Sequence, residues 1–245
     1  MPIGVQQTLL SERAPAGNDA NTILLLHCDG VNGSTSFPDA ASPASPNTVT
    51  PHGNAKVSTA QSEFGGASFA GDGTAVSGLT VAPAANFNFG ATAFTFDFWF
   101  RLNATSPTFY LVEKANGGVA QFWGPLQIIA NSDGAGKLTF YLSSTGTSWD
   151  ITPSGIIGAT AVTANTWNHY ALVRNGNVFT AYLNGAANGT VTSSASLASN
   201  TCPLAIGGIS DFTATYPFNG FIDEFRVSKN ARWTAPFTPP AAPYS

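Results

Sequence analysis

The sequence predicts an all-β protein, an antiparallel β-sandwich with an extended N-terminal arm. Charged residues make up only 9% of the 245 residues, well below the roughly 25% of an average globular protein. Short apolar runs separated by clusters of turn residues recur along most of the chain, and such runs are typical of strands. An all-β sandwich of this length is commonly one domain, so we expect a single domain.

The N-terminal arm comprises residues 1–21. It shows no hydrophobic periodicity and contains Pro15, Gly17 and Asn18, which favour an irregular segment. Two interpretations stay open, a docking segment that tethers the domain and a disordered terminus. The sandwich is predicted to occupy residues 22–245.

The first strand is predicted at residues 23–26 (ILLL), before the turn formed by Asp29 and Gly30. Residues 32–54 follow it and contain four prolines. Each proline removes a hydrogen-bond donor that a regular strand would need. This stretch is therefore predicted to be a long surface loop.

The clearest strand is predicted at residues 94–101 (FTFDFWFR), where four phenylalanines alternate with other residues. One face of this strand should lie in the core, and the other should be at least partly exposed to solvent. Residues 167–183 predict a tight hairpin, because the Asn-Gly of its NGN turn favours positive φ angles. Further strands are predicted at 138–142, 204–206 and 221–227.

Charge and cysteine usage limit the possible partners. The formal net charge is -4 and no basic cluster occurs, so nucleic acid is not a predicted partner. The first 21 residues lack a basic region followed by a long apolar stretch. Neither a signal peptide nor a membrane span is therefore predicted, and we expect assembly in a cytoplasm. Cys28 and Cys202 are interpreted as buried thiols, with a disulfide as the alternative that geometry decides.

Four segments carry a resemblance to a known family. In chain order they resemble the laminin G-like modules of the concanavalin A-like lectin/glucanase superfamily, and together they span about residues 22–245. The resemblance implies a jelly-roll sandwich. Because family members include sugar binders, adhesion modules, spacers and distant glycoside hydrolases, it implies architecture better than activity. The segments are 24–30 (LLLHCDG), 64–73 (FGGASFAGDG), the hairpin that begins at Trp167, and 218–227 (FNGFIDEFRV).

The C-terminal stretch 231–240 (ARWTAPFTPP) resembles the ending of this module in bacteriophage virion proteins. That resemblance implies a virion structural protein, either a capsid decoration or head fibre or a tail module, whose partners are other virion proteins. The sparse charge agrees with a surface partly covered by neighbours, so we expect a homo-oligomer or high-copy assembly. A carbohydrate-binding adhesion module of a bacterium is the alternative, and a polysaccharide hydrolase is a third.

No catalytic residues are predicted. A retaining glycosidase needs two carboxylates about 5 Å apart. Glucanases of the superfamily carry acidic residues that alternate along one strand, whereas the strand here that resembles it has a lone Asp97 beside Trp99 and Arg101. No nucleophile elbow of the Gly-x-Ser-x-Gly type occurs. We therefore expect a protein that is not an enzyme.

Glycan binding is predicted at tryptophans in loops or at strand ends. Sugar rings are commonly held on exposed aromatic faces with polar groups at the rim. Trp123 and Trp149 lie in such contexts, and Trp99 joins them if its face of the sheet is open. Packing in the core or at an interface is the alternative for each of the three.

A structural calcium is predicted between Asp29 and Asp223. Asp223 alternates with Phe221 and Phe225, so strand geometry points it toward the interior, where a carboxylate needs a cation or several donors. In the superfamily a calcium can link the first strand to the last. The resemblance therefore implies Asp29 as a second ligand, with carbonyls around Gly30 or Gly71. The alternative is that Asp223 accepts backbone amides or pairs with an arginine such as Arg226.

Overall fold

The fold is an antiparallel two-sheet β-sandwich with almost no helix, which confirms the predicted class. The computed structural model describes residues 18–41, 46–74, 77–114, 123–209 and 216–245. Among these residues no helix is long and apolar enough to cross a membrane. The strands are β1 (Thr22–Leu26), β2 (Val49–His52), β3 (Lys56–Ser58), β4 (Ser68–Asp72), β5 (Gly78–Val81), β6 (Phe94–Leu102), β7 (Phe109–Lys114), β8 (Leu126–Ala130), β9 (Lys137–Leu142), β10 (Ile156–Ala161), β11 (Asn168–Asn175), β12 (Val178–Leu183), β13 (Ala186–Thr192), β14 (Leu204–Ile206) and β15 (Asn219–Ser228), and a 3-10 turn lies at Ala85–Phe87.

The strands form an eight-stranded and a seven-stranded sheet. The eight-stranded sheet has the order β13-β12-β11-β6-β15-β4-β3, and β1 also pairs with β15. The seven-stranded sheet has the order β10-β9-β8-β7-β14-β5-β2. Since all observed pairings are antiparallel, each strand can present one side chain in two to the core and the other to the outer face.

The core lies between the two sheets and confirms the predicted alternation of β6. Phe94, Phe96, Phe98 and Phe100 are all fully buried there. They meet apolar residues of the seven-stranded sheet such as Phe140. Burying a phenylalanine contributes roughly 1.5 to 3 kcal/mol, so this strand supplies a large share of the driving force for folding.

The predicted hairpin is confirmed as β11 and β12. Asn175 pairs with Val178 and Tyr170 with Leu183, so a two-residue turn joins the strands. Gly176 adopts a φ of 58° at that turn, a conformation that glycine adopts without steric cost. The strands predicted at 23–26, 138–142, 204–206 and 221–227 also lie within observed strands.

The loop prediction for residues 32–54 is wrong in part. Val49–His52 forms β2, which pairs with β5 at the edge of the seven-stranded sheet and includes Pro51. Proline is compatible with an edge strand, because the missing N–H can point away from the sheet. Counting prolines therefore excludes a central strand here but not an edge strand.

The outer face of β6 is more deeply buried than predicted. Thr95 and Asp97 are fully buried, whereas Arg101 stays partly exposed. The cause is the C-terminal segment, residues 229–245, which crosses this face. Thr95 donates its hydroxyl to the carbonyl of Asn230 and accepts the Arg232 amide.

Aromatic residues fasten the C-terminal segment to the eight-stranded sheet. Trp233 stacks on Phe237 with ring centroids 4.1 Å apart, and both rings contact His169 edge-on. The Tyr244 hydroxyl lies 3.0 Å from His169 Nε2. The outer face of the sheet around β6, β11 and β15 is thus covered by the chain itself.

Only the end of the predicted arm is described. Asn18 donates its amide side chain to Ala40 and its backbone amide to Ser245, and Asp19 lies 3.2 Å from Arg232. Residues 18–21 therefore belong with the sandwich. Residues 1–17, on which the docking interpretation depends, lie outside the described residues.

The two cysteines are not joined by a disulfide. Cys28 is buried, as predicted, and burial raises the pKa of its thiol. Cys202 is partly exposed rather than buried. Cys202 lies just before β14 of the seven-stranded sheet, whereas Cys28 follows β1 of the eight-stranded sheet.

Candidate functional site

The outer face of the seven-stranded sheet carries a row of aromatic side chains, here called the aromatic stripe and defined as Tyr110, Tyr141, Trp149 and Tyr216. Tyr141 lies on β9 between the core residues Phe140 and Leu142, so alternation turns it outward. The Trp149 ring is 5.4 Å from that of Tyr141, and the Tyr216 ring is 5.3 Å from that of Tyr110.

Apolar residues join the two aromatic pairs into one surface. Ile129 and Ile209 pack with Tyr110, and Tyr141 packs against the same cluster. Tyr216 is 41% exposed and Ile157, on neighbouring β10, is 47% exposed. Tyr141 and Trp149 are both partly exposed. An apolar surface with accessible aromatic rings therefore extends across this sheet.

A β-bulge adds a carboxylate to this face. Tyr110 pairs with Ile129 but Val112 pairs with Ile128, so Leu111 is an extra residue in β7. The extra residue restores the outward direction at Glu113, which would otherwise point to the core. Glu113, Gln127 and Tyr141 are then directly opposite one another on three adjacent strands.

Glu113 is fully buried beneath this face. Gln127 Nε2 donates to Glu113 Oε1 over 2.8 Å. The pKa of the Tyr110 hydroxyl is raised above its usual range. Burial is the largest cause, and the charges of Glu113, Tyr216 and Tyr141 add to it. Tyr110 therefore remains a neutral hydrogen-bonding group at physiological pH.

Trp149 is presented by a loop that Asp150 holds in shape. Asp150 Oδ1 accepts from Ser143 Oγ and the Ser144 amide, each over 2.9 Å, and the Ser144 hydroxyl donates to Oδ2. Burial opposes ionisation, but these hydrogen bonds lower the pKa of Asp150 to about 2. The loop thus carries a fixed negative charge beside Trp149.

Gly155 leaves the space that the Tyr141 ring occupies. It adopts a φ of 70°, and a Cβ built there would lie 2.7 Å from the Tyr141 ring. Both features require glycine. The position of Tyr141 is therefore set by its own strand and by the absence of a side chain on the neighbouring segment.

The three predicted tryptophans do not form one site. Trp149 belongs to the aromatic stripe. Trp123 is partly exposed and lies shortly before β8, at the strand end where Ser143 donates to the Pro125 carbonyl. Trp99 lies on the outer face of the other sheet, is 9% exposed, and packs edge-on against Phe64 and His169. This outer face is covered around Trp99. Trp99 is predicted to bind glycans only if its face of the sheet is open, and that condition is not met.

Asp97, on the same covered face, belongs to a buried network. Arg226 donates through Nε to Asp97 Oδ1 over 3.1 Å and through Nη2 to Oδ2 over 2.8 Å. His169 Nε2 lies 3.9 Å from the same carboxylate. The Arg226 guanidinium also lies 3.8 Å from the Tyr244 ring. The network joins β6, β15 and the C-terminal segment.

The predicted orientation of Asp223 is wrong, although its burial is correct. Asp223 pairs with Trp99, so it points to the outer face, and a bulge between Asp223 and Arg226 returns Phe225 to the core. Glu224 has a φ of 50° at that bulge. A bulge reverses the alternation beyond it, which is why Asp223 and Phe225 do not share a face.

Asp29 and Asp223 each have one buried carboxylate oxygen without a hydrogen-bond partner among the described residues, in both cases Oδ1. Asp223 Oδ2 accepts the backbone amides of Glu63 and Phe64 over 2.8 and 3.0 Å. Burial is the largest cause that raises the pKa of Asp223 to about 7, and repulsion from Glu224 and Asp29 adds to it. Two such oxygens in one neighbourhood fit a cation.

Neighbouring groups limit how a cation would be held. Glu224 is already engaged, because His27 Nδ1 lies 2.8 Å from its Oε1 and the Tyr244 amide donates to its Oε2. Within the described ranges, no group of three or more His, Cys, Asp or Glu side chains is arranged to hold a metal. Asp29, Asp223 and carbonyl oxygens would have to suffice, which is a donor set that calcium accepts. The predicted Gly71 carbonyl does not lie next to Asp223. Gly71 pairs with Gly220, which precedes Asp223 by three residues and is therefore about 10 Å from it along the strand.

The chain resembles known proteins in sequence pattern and in fold. The Laminin_G_3 family model, described as concanavalin A-like lectin/glucanases superfamily, matches residues 72–235. No curated protein sequence matches this one.

Solved structures share the fold at low sequence identity. The binding domain of Paraclostridial Mosquitocidal Protein 1 is 16% identical with a TM-score of 0.64, over 86% of this chain and 49% of that one. The binding domain of Botulinum neurotoxin DC, in complex with SialylT, is 15% identical with a TM-score of 0.62, over 86% and 48%. The chain thus spans about half the length of these toxin domains. Domain 4 of AbnA, an extracellular arabinanase from Geobacillus stearothermophilus, in complex with arabinotriose, is 16% identical with a TM-score of 0.59, over 86% and 93%.

Proposed function

The chain belongs to the Laminin_G_3 family of concanavalin A-like lectin/glucanase domains, and on that premise we propose that it is a non-enzymatic carbohydrate-binding module. The observation that carries this proposal is the aromatic stripe with its partly exposed Tyr141, Trp149 and Tyr216 rings. Similar domains include one in complex with arabinotriose and one in complex with SialylT, which agrees with a binding role.

The stripe has the chemistry that sugar binding requires. Sugar rings present apolar C–H faces, which pack on aromatic rings, and hydroxyl groups, which need polar partners at the rim. Tyr141 and Trp149 provide adjacent rings, and the Ser144 to Ser148 loop provides hydroxyl groups beside them. The Asp150 hydrogen bonds hold this loop before a ligand arrives, which lowers the entropic cost of binding.

The carboxylates near the stripe do not suit hydrolysis. A retaining glycosidase needs two carboxylates about 5 Å apart, flanking the scissile bond. Glu113 is fully buried and bonded to Gln127, and Asp150 is held by its own loop. Both groups act as structural acceptors in the described residues, which favours binding over catalysis.

A glycan panel tests the proposal. We expect the intact protein to bind a defined subset of glycans, and the Trp149→Ala variant to lose that binding while the Val31→Ala variant keeps it. Val31 is 80% exposed and follows β1, away from the stripe. Failure of the intact protein to bind any glycan, with calcium present, would contradict the function.

We also propose that one calcium ion binds between Asp29 and Asp223. The two unsatisfied carboxylate oxygens support this proposal. The ion would neutralise the repulsion between the partly buried Asp29 and the buried Asp223 and tie the turn after β1 to β15. Isothermal titration with calcium should then give one site per chain that the Asp29→Asn variant lacks, whereas an absence of heat at any calcium concentration would contradict it.

The setting in which the module works is proposed from the resemblance of residues 231–240. We expect it in a bacteriophage virion, as a capsid decoration, head fibre or tail module among other virion proteins and in many copies. The alternative, an adhesion module of a bacterium, agrees equally well with the fold and the stripe. Mass spectrometry of purified particles decides between them, because a virion protein must be present in stoichiometric amounts.

A further inference from the structure

Among the described residues, the charged groups next to the aromatic stripe are carboxylates. Glu113 lies directly opposite Gln127, two strands away from Tyr141, and its charge acts on Tyr110. Asp150 follows Trp149, and its loop hydrogen bonds keep it ionised. Two carboxylates therefore flank the aromatic rings. A ligand that carried a carboxylate or sulfate of its own would meet a negative field there.

Most described cations belong to the other sheet. The sequence contains nine Lys and Arg residues, and all but Arg13 are described. Six of these eight lie on strands of the eight-stranded sheet or in the C-terminal segment, namely Lys56, Arg101, Arg174, Arg226, Lys229 and Arg232. They cannot complement an anionic ligand on the opposite side of the sandwich.

The two remaining cations are poorly placed for an anionic ligand. Lys114 is fully buried and donates to the Asn200 side chain and the Cys202 carbonyl, each over 2.9 Å. Lys137 lies on β9 four residues from Tyr141, about 13 Å along the strand. That separation exceeds the Debye length of about 8 Å at physiological salt. Residues 115–122 and 210–215, which adjoin this face in sequence, contain no Lys or Arg.

We propose that the aromatic stripe selects uncharged glycans and discriminates against those with sialic or uronic acid groups. This inference rests on the proposed function and assigns its ligand class. Rings that stack on Tyr141 and Trp149 bring their substituents close to Asp150, so a substituent charge is repelled, whereas hydroxyl groups are accepted as hydrogen-bond donors.

The experiment compares matched glycan pairs that differ only in one acidic residue. For the intact protein at low salt, we expect the neutral member to bind at least about tenfold more tightly, since the Asp150 carboxylate beside Trp149 repels the acidic one. The difference should narrow at high salt, because screening shortens the reach of the carboxylates.

Two lysine variants make the test specific to this face. Ile157→Lys places a cation on the exposed surface beside Tyr141, and it should raise affinity for the acidic members several-fold. Val178→Lys is the matched control, because Val178 is similarly exposed, at 40%, but begins β12 in the other sheet. It should change neither affinity.

The outcomes separate the inference from the function on which it rests. Equal or tighter binding of the acidic members by the intact protein overturns the inference and leaves carbohydrate binding in place. An equal gain of acidic-glycan binding in both lysine variants also overturns it, because the effect would then come from net charge. Absence of binding to every pair overturns the proposed function, and the inference with it.

Discussion

The Trp149 indole lies 5.4 Å from the Tyr141 ring, measured between centroids, with the two planes inclined by 44°. One ring belongs to the rigid strand β9, and the other to a loop that Asp150 ties to Ser143 and Ser144. Their relative position is therefore fixed by hydrogen bonds and not only by ring contact. Such a pair offers two adjacent apolar faces to a ligand without prior rearrangement.

Replacing Trp149 with alanine should weaken glycan binding about 10- to 100-fold, which corresponds to roughly 1.4 to 2.8 kcal/mol. Because Trp149 is partly exposed, we expect the free energy of unfolding to fall by only about 1 kcal/mol. Calorimetric titration and urea denaturation of the same samples measure the two effects. A variant that binds as tightly as the intact protein would remove Trp149 from the site.

Gly155→Ala should displace the Tyr141 ring, since the added Cβ would lie 2.7 Å from it. We expect lower glycan affinity and a stability loss of about 1 to 3 kcal/mol from the strained backbone. Gly134→Ala is the matched control, because Gly134 has a similar φ of 74° but no heavy atom within 4 Å of the added carbon. If both variants lose affinity equally, backbone strain and not ring displacement is the cause.

Regular alternation explains which parts of this fold could be predicted from the sequence. The phenylalanines of β6 and the hairpin of β11 and β12 follow a strict period of two, and both predictions are confirmed. The same rule applied to residues 138–142 would have placed Tyr141 outward, so the signal for that residue was present in the sequence. The glycan-site prediction names only tryptophans as ligand-stacking groups and therefore omits Tyr141.

Bulges explain most of what could not be predicted. The bulge at Leu111 brings Glu113 to the outer face, and the one at Glu224 separates Asp223 from Phe225. One extra residue reverses the alternation beyond it without leaving a distinct sequence signature. The covering of Trp99 depends on contacts such as that with Phe64, distant in sequence, and a local pattern does not contain such contacts.

Asp97→Asn should destabilise the protein by about 3 to 5 kcal/mol, because it leaves the buried Arg226 guanidinium without its carboxylate. Burial opposes ionisation, but Arg226 and His169 hold the pKa of Asp97 well below its ordinary 3.8. As the pH falls, Asp97 therefore becomes protonated in the unfolded chain before it does in the folded protein. The stabilisation by ionised Asp97 is complete above about pH 5 and is lost as the pH falls below 3.8.

Denaturant titrations at several pH values check this prediction. The difference between the intact protein and the Asp97→Asn variant should be constant near neutral pH and shrink in acid. Asp133→Asn, in an exposed loop where Asp133 accepts the Ala135 amide, should change stability little. A difference that grew as the pH fell would contradict the assigned role of Asp97.

Calcium should raise the melting temperature if it binds between Asp29 and Asp223. At a free concentration of about 100 times the Kd, binding adds roughly 2.7 kcal/mol to the free energy of unfolding. A chelator should reverse the effect, and Asp223→Asn should abolish it. Asp72→Asn is the control, because Asp72 is bonded to Thr74 and Asn54 in a separate turn. An equal calcium response in both variants would place the ion elsewhere.

The most direct test of carbohydrate binding by the aromatic stripe is a crystal structure of the protein with a neutral oligosaccharide selected from the glycan panel. The account predicts a sugar ring on the faces of Tyr141 and Trp149, with its hydroxyl groups directed toward the Asp150 loop. A sugar bound instead at the edge of the eight-stranded sheet or around Trp123, with Tyr141 and Trp149 bare, would contradict it.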